Sequence, residues 1–240
     1  MRYVEVFGGT AAVLAIKARS REEIFNDLNR DLVNFWRQVK FHPNELARSV
    51  RFIPWSFSEW QDAVKNRGQL PTEILRAAAF CAASMQSKNG LMSSWSRRKA
   101  QAPLIGTFLI GRKIRRMAAR LRRVVIEEMP FDKLIPYYDS PDTVFYCDPP
   151  YPGHQAYKVG FSEKDLCRLV ELCRRVKGKV IISSALQHAT YFRGFRVRRI
   201  RVDYTIEIGV PRRRFELLAM NWCESLQSAK SADSSSAPNV

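Results

Sequence analysis

Four consecutive residues combine groups that could activate an amino nitrogen. They are Asp148-Pro149-Pro150-Tyr151, and they follow the apolar residues 145–147. An apolar run of this kind predicts a strand, and ligands in open α/β sheets bind beyond the carboxyl ends of strands, where Asp148 would lie. Each proline has a fixed φ angle, so the carbonyls and the aromatic ring beside the carboxylate are held rigidly. The segment therefore predicts two hydrogen-bond acceptors next to one stacking face.

These groups suit an exocyclic amino group on a nucleic acid base, whose lone pair is delocalised into the ring. Two acceptors that bind its hydrogens, Asp148 and the Pro149 carbonyl, would favour the pyramidal form that can attack. Tyr151 could stack on a base rotated out of the duplex, a contact worth roughly 1–3 kcal/mol. The alternative is a proline turn that only caps a buried strand. The complete four-residue string favours the first interpretation, because chance rarely produces it.

A second group of residues, near the amino end, could bind a cofactor. Residues 3–7 read as an apolar strand and are followed by Gly8-Gly9, where a ligand could approach the backbone closely. Two glycines alone are equally typical of a tight turn. About 20 residues further on, Asp27 ends a second predicted strand, at the position from which a carboxylate can hold ribose hydroxyls. The competing interpretation is a helix N-cap at Asp27 or Asn29.

The elements that must position these groups are short apolar runs alternating with helical patterns, which is typical of a layered α/β domain. Strands are predicted at residues 2–7, 23–26, 124–127, 143–147, 179–184, 195–202 and 215–222. Helices are predicted at 72–87, at 106–121 and after a capping box at Ser162. The expected fold class is α/β, a Rossmann-like sheet of about seven strands with a helical insertion.

The net charge of +17 points to a polyanionic partner, and nucleic acid is the usual one. Between Ile74 and Ile126 there are twelve Lys or Arg and no Asp or Glu. Strand patterns are absent over 42–121, so we expect a basic helical module that lies along phosphates. A solvated basic helix face is the alternative. The candidate DNA contacts are Lys88, Arg97, Arg98, Lys99, Arg112, Lys113, Arg115 and Arg116.

Composition excludes several protein classes. Five scattered cysteines without a CxxC pair and three isolated histidines predict neither a disulfide framework nor a zinc site. No apolar stretch is long enough to span a membrane and no secretory pattern is present, so a cytoplasmic protein is expected. Residues 1–41 and 122–224 are predicted to form the α/β domain, 42–121 the insertion and 225–240 a disordered serine-rich tail, in a chain assumed to be monomeric.

Together, these residues make the chain resemble the D12-class (Dam-like) DNA adenine methyltransferases, and more closely their phage and prophage members, over most of its length. In that family a strand and glycine turn like residues 3–11 form the floor of the S-adenosylmethionine site, and Asn26-Asp27 looks like the pair that grips the ribose. The cofactor-binding residues implied by the resemblance are Glu5, Phe7, Gly9, Asp27, Phe131 and Asp148. The implied catalytic residues are Asp148, Pro149, Pro150 and Tyr151.

The resemblance implies methyl transfer from S-adenosylmethionine to the N6 amino group of an adenine flipped out of double-stranded DNA, without a metal and in the setting of restriction-modification. Residues 42–121 would be the target-recognition region. Methylation of the cytosine amino group stays open, because its chemistry is the same. Family members usually carry a lysine-bearing segment before the first strand, whereas Met1 lies almost directly on that strand here. A catalytically inactive DNA-binding remnant is therefore a further hypothesis.

Overall fold

The structure is a computed structural model, and it describes residues 1–90, 92–97, 103–150, 160–204 and 212–222. Within these residues seven strands form one sheet. The strands are β1 (Arg2–Glu5), β2 (Glu22–Asn26), β3 (Val124–Glu127), β4 (Thr143–Cys147), β5 (Lys179–Ala185), β6 (Arg196–Tyr204) and β7 (Arg212–Met220). Their order is β3-β2-β1-β4-β5-β7-β6, in which β7 is antiparallel to both neighbours and the other neighbouring pairs are parallel.

This strand order places a topological switch point between β1 and β4. The chain continues from β1 to β2 and β3 on one side, whereas β5 lies beyond β4 on the other. Loops that leave the carboxyl ends of β1 and β4 therefore diverge, and open α/β sheets bind ligands in the crevice between such loops. The residues that follow Glu5 and Cys147 border this crevice.

Helices cover both faces of the sheet, and several begin at residues that cap them. The helices are α1 (Ala12–Ile16), α2 (Arg30–Phe41), α3 (Pro43–Arg51), α4 (Phe57–Lys65), α5 (Glu73–Gln86), α6 (Pro103–Leu121), α7 (Phe131–Tyr138) and α8 (Glu163–Arg175). Short 3₁₀ turns lie at Arg67–Gln69, Lys88–Gly90 and Leu186–Phe192. Ser162 and Asp165 form the capping box predicted for α8.

Each face of the sheet has its own apolar cluster, because the side chains of a strand point alternately to the two faces. Val4, Phe145 and Ile182 share one cluster with buried residues of α7 and α8. Tyr3 and Phe25 share the other with buried residues of α2, α3, α5 and α6. Helices α3, α5 and α6 therefore belong to the cluster on one face of the sheet, whereas α4 packs on α5 in a separate cluster.

A buried carboxylate joins α6 to the sheet. Glu23 of β2 accepts hydrogen bonds from Lys17 Nζ at 2.5 Å and from Arg120 Nη1 and Nη2 at 2.5 and 2.9 Å. Burial alone would raise the pKa of Glu23, but the hydrogen bonds from these two cations lower it to about 2. Arg19 Nη2 also donates to the Ala119 carbonyl in the last turn of α6, at 2.9 Å. The end of α6 is thus fixed at the amino edge of the sheet.

The predicted fold class is confirmed, and every predicted strand overlaps an observed one. Several predicted bounds were wrong by one to three residues, and the structure explains two of them. β1 ends at Glu5 rather than at residue 7, because the chain turns toward β2 and the Gly8 N–H donates to the Asn26 carbonyl at 2.7 Å. β7 begins at Arg212 rather than at residue 215, because its first residues pair with the edge strand β6. Edge strands are rich in charged residues, so no apolar pattern marks this pairing.

The predicted helices at 72–87 and 106–121 correspond to α5 and α6, and α6 begins three residues earlier, at Pro103. The division into 1–41 with 122–224, 42–121 and 225–240 stays a prediction, and the tail lies outside the described residues. In the described part of the chain, no helix combines the length and apolarity that crossing a membrane requires.

Candidate active site

The turn after β1 is held by its neighbours on two sides. The Gly9 N–H donates to Asp27 Oδ2 at 2.9 Å, and Trp36 Nε1 of α2 donates to the Gly9 carbonyl at 3.0 Å. Gly8 has no room for a side chain, because a Cβ there would lie 2.1 Å from the ring of Phe25. Gly9 has a φ of 49°, in the left-handed region that favours glycine. The backbone of this turn lines the crevice, and the contacts just described fix its conformation before a ligand binds.

Asp27 follows β2 and faces the glycine turn. Its Oδ2 atom accepts from the Gly9 N–H, and its Oδ1 atom accepts from the Asn29 N–H at 2.8 Å. Burial raises the pKa of Asp27, and the hydrogen bonds from the backbone oppose that shift. Each carboxylate oxygen keeps a further lone pair, so Asp27 can also accept hydrogen bonds from the hydroxyl groups of a ligand. The helix N-cap is Asn29, whose side chain accepts from the Leu32 N–H at the start of α2.

Asn26 joins the ends of three strands beneath this turn. Its Nδ2 atom donates to the carbonyls of Val6 and Met129 at 2.9 and 3.0 Å, and its Oδ1 atom accepts from the Met129 N–H at 2.8 Å. Because the side chain is buried and fully bonded, its role is to hold the carboxyl ends of β1, β2 and β3 in register below Asp27.

Three phenylalanine rings form one wall of the crevice. The ring centroids of Phe7 and Phe131 lie 5.9 Å apart, and Phe161 lies 5.6 Å from Phe7 and 6.2 Å from Phe131. Arg168 extends over Phe131, with its guanidinium carbon 5.6 Å from the ring centre, and pairs with Asp132. The rings are inclined to one another by 42° to 86°, so this wall offers apolar ring faces and edges that a heteroaromatic ring could contact.

Asp148 lies where β4 ends, and its carboxyl group lines the crevice. The residue is exposed to solvent, but the protein around it removes part of the hydration of the carboxyl group. This partial desolvation raises the pKa of Asp148 to about 6; the charge of Glu216 on β7 adds to the shift, and the Ser183 side chain opposes it. The Ser183 hydroxyl also lies 3.4 Å from Glu216 Oε2. The Ser183 hydroxyl group thus lies between the carboxyl groups of Asp148 and Glu216.

The remaining residues of the motif are placed differently. Pro150 lines the crevice, whereas Pro149 is buried and is not among the lining residues. Tyr151 lies outside the described residues. An acceptor role for the Pro149 carbonyl and a stacking role for Tyr151 therefore stay predictions.

Glu5 forms part of the crevice between the glycine turn and Asp148. Its side chain is buried, and the Tyr3 hydroxyl donates to its Oε2 atom at 3.0 Å. Burial raises the pKa of Glu5 to about 7; the Tyr3 hydrogen bond opposes the shift, and the charge of Asp148 adds to it. Three carboxyl groups with raised pKa values, those of Glu5, Asp27 and Asp148, thus lie in one site, as is common where binding or catalysis takes place.

Together these residues line one cavity of about 680 Å³. Pockets that hold cofactors typically measure roughly 300–1,000 Å³. The lining contains five carboxylates and two guanidinium groups, namely Glu5, Asp27, Asp132, Asp148, Asp165, Arg67 and Arg168. A surplus of acidic groups inside a protein with a net charge of +17 favours a ligand that carries positive charge.

The candidate DNA contacts lie apart from this cavity. Lys88 and Arg97 are exposed after α5, and Arg98 and Lys99 lie outside the described residues. The four candidates on α6 are all exposed, on the side of the helix opposite the buried Ile114 and Leu121; they are Arg112, Lys113, Arg115 and Arg116. None of the described candidates lines the cavity, so their role in DNA binding stays a prediction.

Several residues of the site were not predicted from the sequence. The helical region contributes Arg67, Phe80, Ser84 and Met92 to the cavity wall. Arg67 is buried and pairs with Asp31 of α2 at 2.7 Å. No local pattern marks these residues, because only the packing of α5 against α2 brings them to the cavity. Phe161 and Glu216 were also missed, because the packing before α8 and the pairing of β7 with β5 bring them to the site, although an acidic residue within the apolar β7 is a detectable signal.

Among the residues that the structure describes, no three His, Cys, Asp or Glu side chains are placed to hold a metal ion together. No curated protein matches the sequence. The sequence model of D12 class N6 adenine-specific DNA methyltransferases matches residues 1–204, which include every strand up to β6 and all of the described cavity. The seven-stranded sheet is consistent with a Rossmann-like methyltransferase fold. The chain therefore belongs to the family of D12 class N6 adenine-specific DNA methyltransferases.

Proposed function

We propose that this protein transfers a methyl group from S-adenosylmethionine to the N6 amino group of an adenine rotated out of double-stranded DNA. The observation that carries the proposal is the presence of Asp148, the glycine turn and Asp27 in one cavity at the switch point of the sheet. A donor site and an acceptor site must adjoin for direct methyl transfer, and this cavity borders the carboxyl ends of both β1 and β4.

The lining residues fit the cofactor. S-adenosylmethionine supplies the activated methyl group when bound. Asp27 would accept hydrogen bonds from the ribose hydroxyls, and the Gly9 backbone would lie close to the cofactor because no side chain intervenes. Phe7 and Phe131 would contact the adenine ring of the cofactor. The acidic cavity, including Glu5, would stabilise the positive charge that the cofactor carries on its sulfur and amino nitrogen.

Asp148 would act on the methyl acceptor. Its carboxylate would accept a hydrogen bond from the amino group of the extruded base and stabilise the positive charge that develops on that nitrogen during transfer. Pro150 would keep the loop rigid, while the Pro149 carbonyl would be the second acceptor and Tyr151 the stacking ring. The contribution of the protein is then orientation and electrostatic stabilisation, and no nucleophilic side chain is required.

Two measurements test the proposal. Calorimetry measures S-adenosylmethionine binding, and transfer of labelled methyl to unmethylated DNA measures activity, both in the wild type, in Asp148→Ala and in Asp148→Asn. We expect transfer to fall by about 10²-fold or more in the two variants, and donor affinity to change much less. Asp142→Ala is the matched control, because it removes an exposed carboxylate just before β4.

Nucleoside analysis of the product separates the remaining hypotheses. Label in N6-methyladenine supports the proposal, whereas label in N4-methylcytosine would assign the protein to cytosine methylation. Wild-type protein that binds DNA but neither binds the cofactor nor transfers methyl would be a DNA-binding protein without catalysis. Membership of the phage or prophage type, a role in restriction-modification and a cytoplasmic location stay predictions.

A further inference from the structure

The hairpin formed by β6 and β7 is a second strongly basic element, separate from α6. Its two strands contain seven arginines and only two acidic residues, Asp203 and Glu216. Arg198, Arg199 and Arg201 are exposed, whereas Glu216 is buried. The hairpin therefore presents positive charge to solvent, while its acidic group near Asp148 is turned inward.

The hairpin extends past the edge of the sheet that carries the cavity. β7 pairs with β5 only as far as Ala185↔Glu216, at the carboxyl end of β5. Pairing between β6 and β7 continues for four more residue pairs, to Tyr204↔Arg212. At about 3.3 Å per residue, the hairpin reaches roughly 13 Å beyond β5. Because β5 is parallel to β4, this extension lies on the same side as Asp148. Arg201 is the first residue of β6 on the extension, and Arg198 and Arg199 lie just before it, level with the last residues of β5.

The lateral distance from the cavity suits the spacing of DNA phosphates. β6 is separated from β4 by β5 and β7, and three strand spacings of about 4.8 Å amount to roughly 14 Å. Phosphates follow one another every ~3.4 Å along each strand of B-DNA, so this distance corresponds to about four nucleotides. A duplex with one base in the cavity would therefore pass over the hairpin.

The geometry points to the β6–β7 hairpin as a phosphate-binding surface that holds the substrate duplex about four nucleotides from the methylated base. This inference rests on the proposed function, in which double-stranded DNA is the substrate. Helices α3, α5 and α6 share an apolar cluster with the β3-β2-β1 half of the sheet, and the hairpin lies at the opposite edge. The two basic elements would thus hold the duplex on either side of the cavity.

Arginine is the residue suited to this role. The guanidinium group presents a planar fork of donors that matches two phosphate oxygens. Arg199 lies over the exposed ring of Phe215, with its guanidinium carbon 3.6 Å from the ring centre, so this side chain is oriented before DNA binds. Charged side chains on an edge strand also prevent pairing with other sheets, which is an alternative role for these arginines. Only a phosphate-binding role makes the salt dependence of DNA affinity change when the arginines are replaced.

The test compares two variants that each lose three positive charges, one on the hairpin and one at the amino ends of the strands. The first is the hairpin variant Arg198→Gln/Arg199→Gln/Arg201→Gln. The matched control is Arg122→Gln/Arg123→Gln/Lys177→Gln, whose three residues are exposed at the amino edge. Affinity for a long unmethylated duplex is measured over a range of salt concentrations. We expect the slope of log affinity against log salt to fall by about 2 in the hairpin variant, because Arg199 and Arg201 share one face of β6 whereas Arg198 points to the other, and to stay unchanged in the control.

Phosphate ethylation interference provides the positional readout. In the wild type, interference is expected about four nucleotides from the target adenine, and this signal should be lost in the hairpin variant. A further variant, Arg198→Lys/Arg199→Lys/Arg201→Lys, keeps the charge and should restore most of the slope. S-adenosylmethionine binding, which uses the cavity, should be the same in all variants and reports correct folding.

Equal slopes in the hairpin variant and in the wild type would overturn the inference and leave the proposed function intact. An equal decrease in both charge-loss variants would also overturn it, because net charge alone would then account for the effect. Wild-type protein without measurable affinity for DNA would overturn both the inference and the proposed function. A hairpin variant with normal DNA affinity but greater self-association would assign the arginines to protection of the sheet edge.

Discussion

Side chains from three neighbouring strands or their ends meet beside Asp148, at the border of the cavity. Asp148 follows β4, Ser183 belongs to β5 and Glu216 belongs to β7. Partial desolvation and the neighbouring charge of Glu216 raise the pKa of Asp148 to about 6, so this carboxylate holds a proton more firmly than a fully solvated aspartate does. At neutral pH the Asp148 carboxylate is still ionised, so it can accept a hydrogen bond from an amino group and does so strongly.

We expect kcat/KM for methyl transfer to fall as the pH drops through about 6, because protonated Asp148 is a weaker acceptor. Glu216→Gln removes a charge that raises the pKa of Asp148. The acidic limb of the pH profile should therefore move to lower pH in this variant, while the rate well above the limb changes little. A purely structural role for Glu216 would lower the rate at every pH and leave the limb in place.

Glu5 provides the control for this assignment, because its pKa is raised to about 7 in the same cavity. If protonation of Asp148 causes the fall in rate, the acidic limb of the pH profile stays near its original pH in Glu5→Gln. A limb that moves in Glu5→Gln and not in Glu216→Gln would show that Glu5 is the titrating group.

Elements are joined by buried polar contacts as well as by apolar packing. Glu23 connects β2 with the last turn of α6 through Arg120 and with the segment after α1 through Lys17. The side chains of Glu23 and Arg120 are 4% and 11% exposed, so solvent screens this pair only weakly. The helical region is thus anchored to the sheet at the edge opposite the cavity.

Glu23→Gln should therefore lower the free energy of unfolding by about 3–5 kcal/mol at neutral pH, because Arg120 would lose its buried counter-charge. The pKa of Glu23 is about 2 in the folded protein and near 4.5 when unfolded. Because the pKa is lower in the folded state, ionised Glu23 stabilises the protein fully at any pH above the unfolded-state pKa. That stabilisation is lost as the pH falls from about 4.5 toward 2. Urea unfolding at several pH values should show the wild type and the variant converging in acid.

Glu22→Gln is the matched control. Glu22 is the neighbouring residue, its side chain is 44% exposed, and it pairs with Arg2 at 2.8 Å. An exposed pair of this kind contributes about 0–1 kcal/mol. Similar losses in the two variants would mean that the buried pair has no special role in anchoring α6.

On the scale of the whole molecule, charge is divided between the interior and the surface. The cavity contains more acidic than basic groups, whereas the chain as a whole carries +17. An acidic cavity suits a cationic donor, and a basic surface attracts DNA and accelerates its association. The basic face of α6 and the β6–β7 hairpin are two parts of that surface.

Neutralising the basic face of α6 should weaken DNA binding and flatten its salt dependence, because each phosphate contact contributes about 0.9 to the slope. The variant is Arg112→Gln/Lys113→Gln/Arg115→Gln/Arg116→Gln, and binding is measured over a range of salt concentrations. These residues lie outside the cavity lining, so S-adenosylmethionine affinity should not change. An unchanged slope would remove α6 from the DNA interface and leave its basic face as a solvated surface.

Local sequence patterns predicted much of the fold and part of the site. Apolar runs marked the seven strands, and a capping box marked α8, because strand and helix propensities act over a few residues. Gly9, Asp27 and Asp148 were identified because each follows a predicted strand, and the structure places all three at one cavity. The extent of β7 was not predicted, since the pairing of an edge strand leaves no apolar signal.

What the sequence determined by itself is the set of elements and the residues at their carboxyl ends, since both depend on local spacing. Only the tertiary structure decided which of these ends adjoin. The order β3-β2-β1-β4-β5-β7-β6 brings Glu216 next to Asp148 across 68 residues of chain, and the packing of α5 on α2 brings Phe80 to the cavity. Such contacts depend on strand order and on the burial of whole faces, which no short pattern encodes.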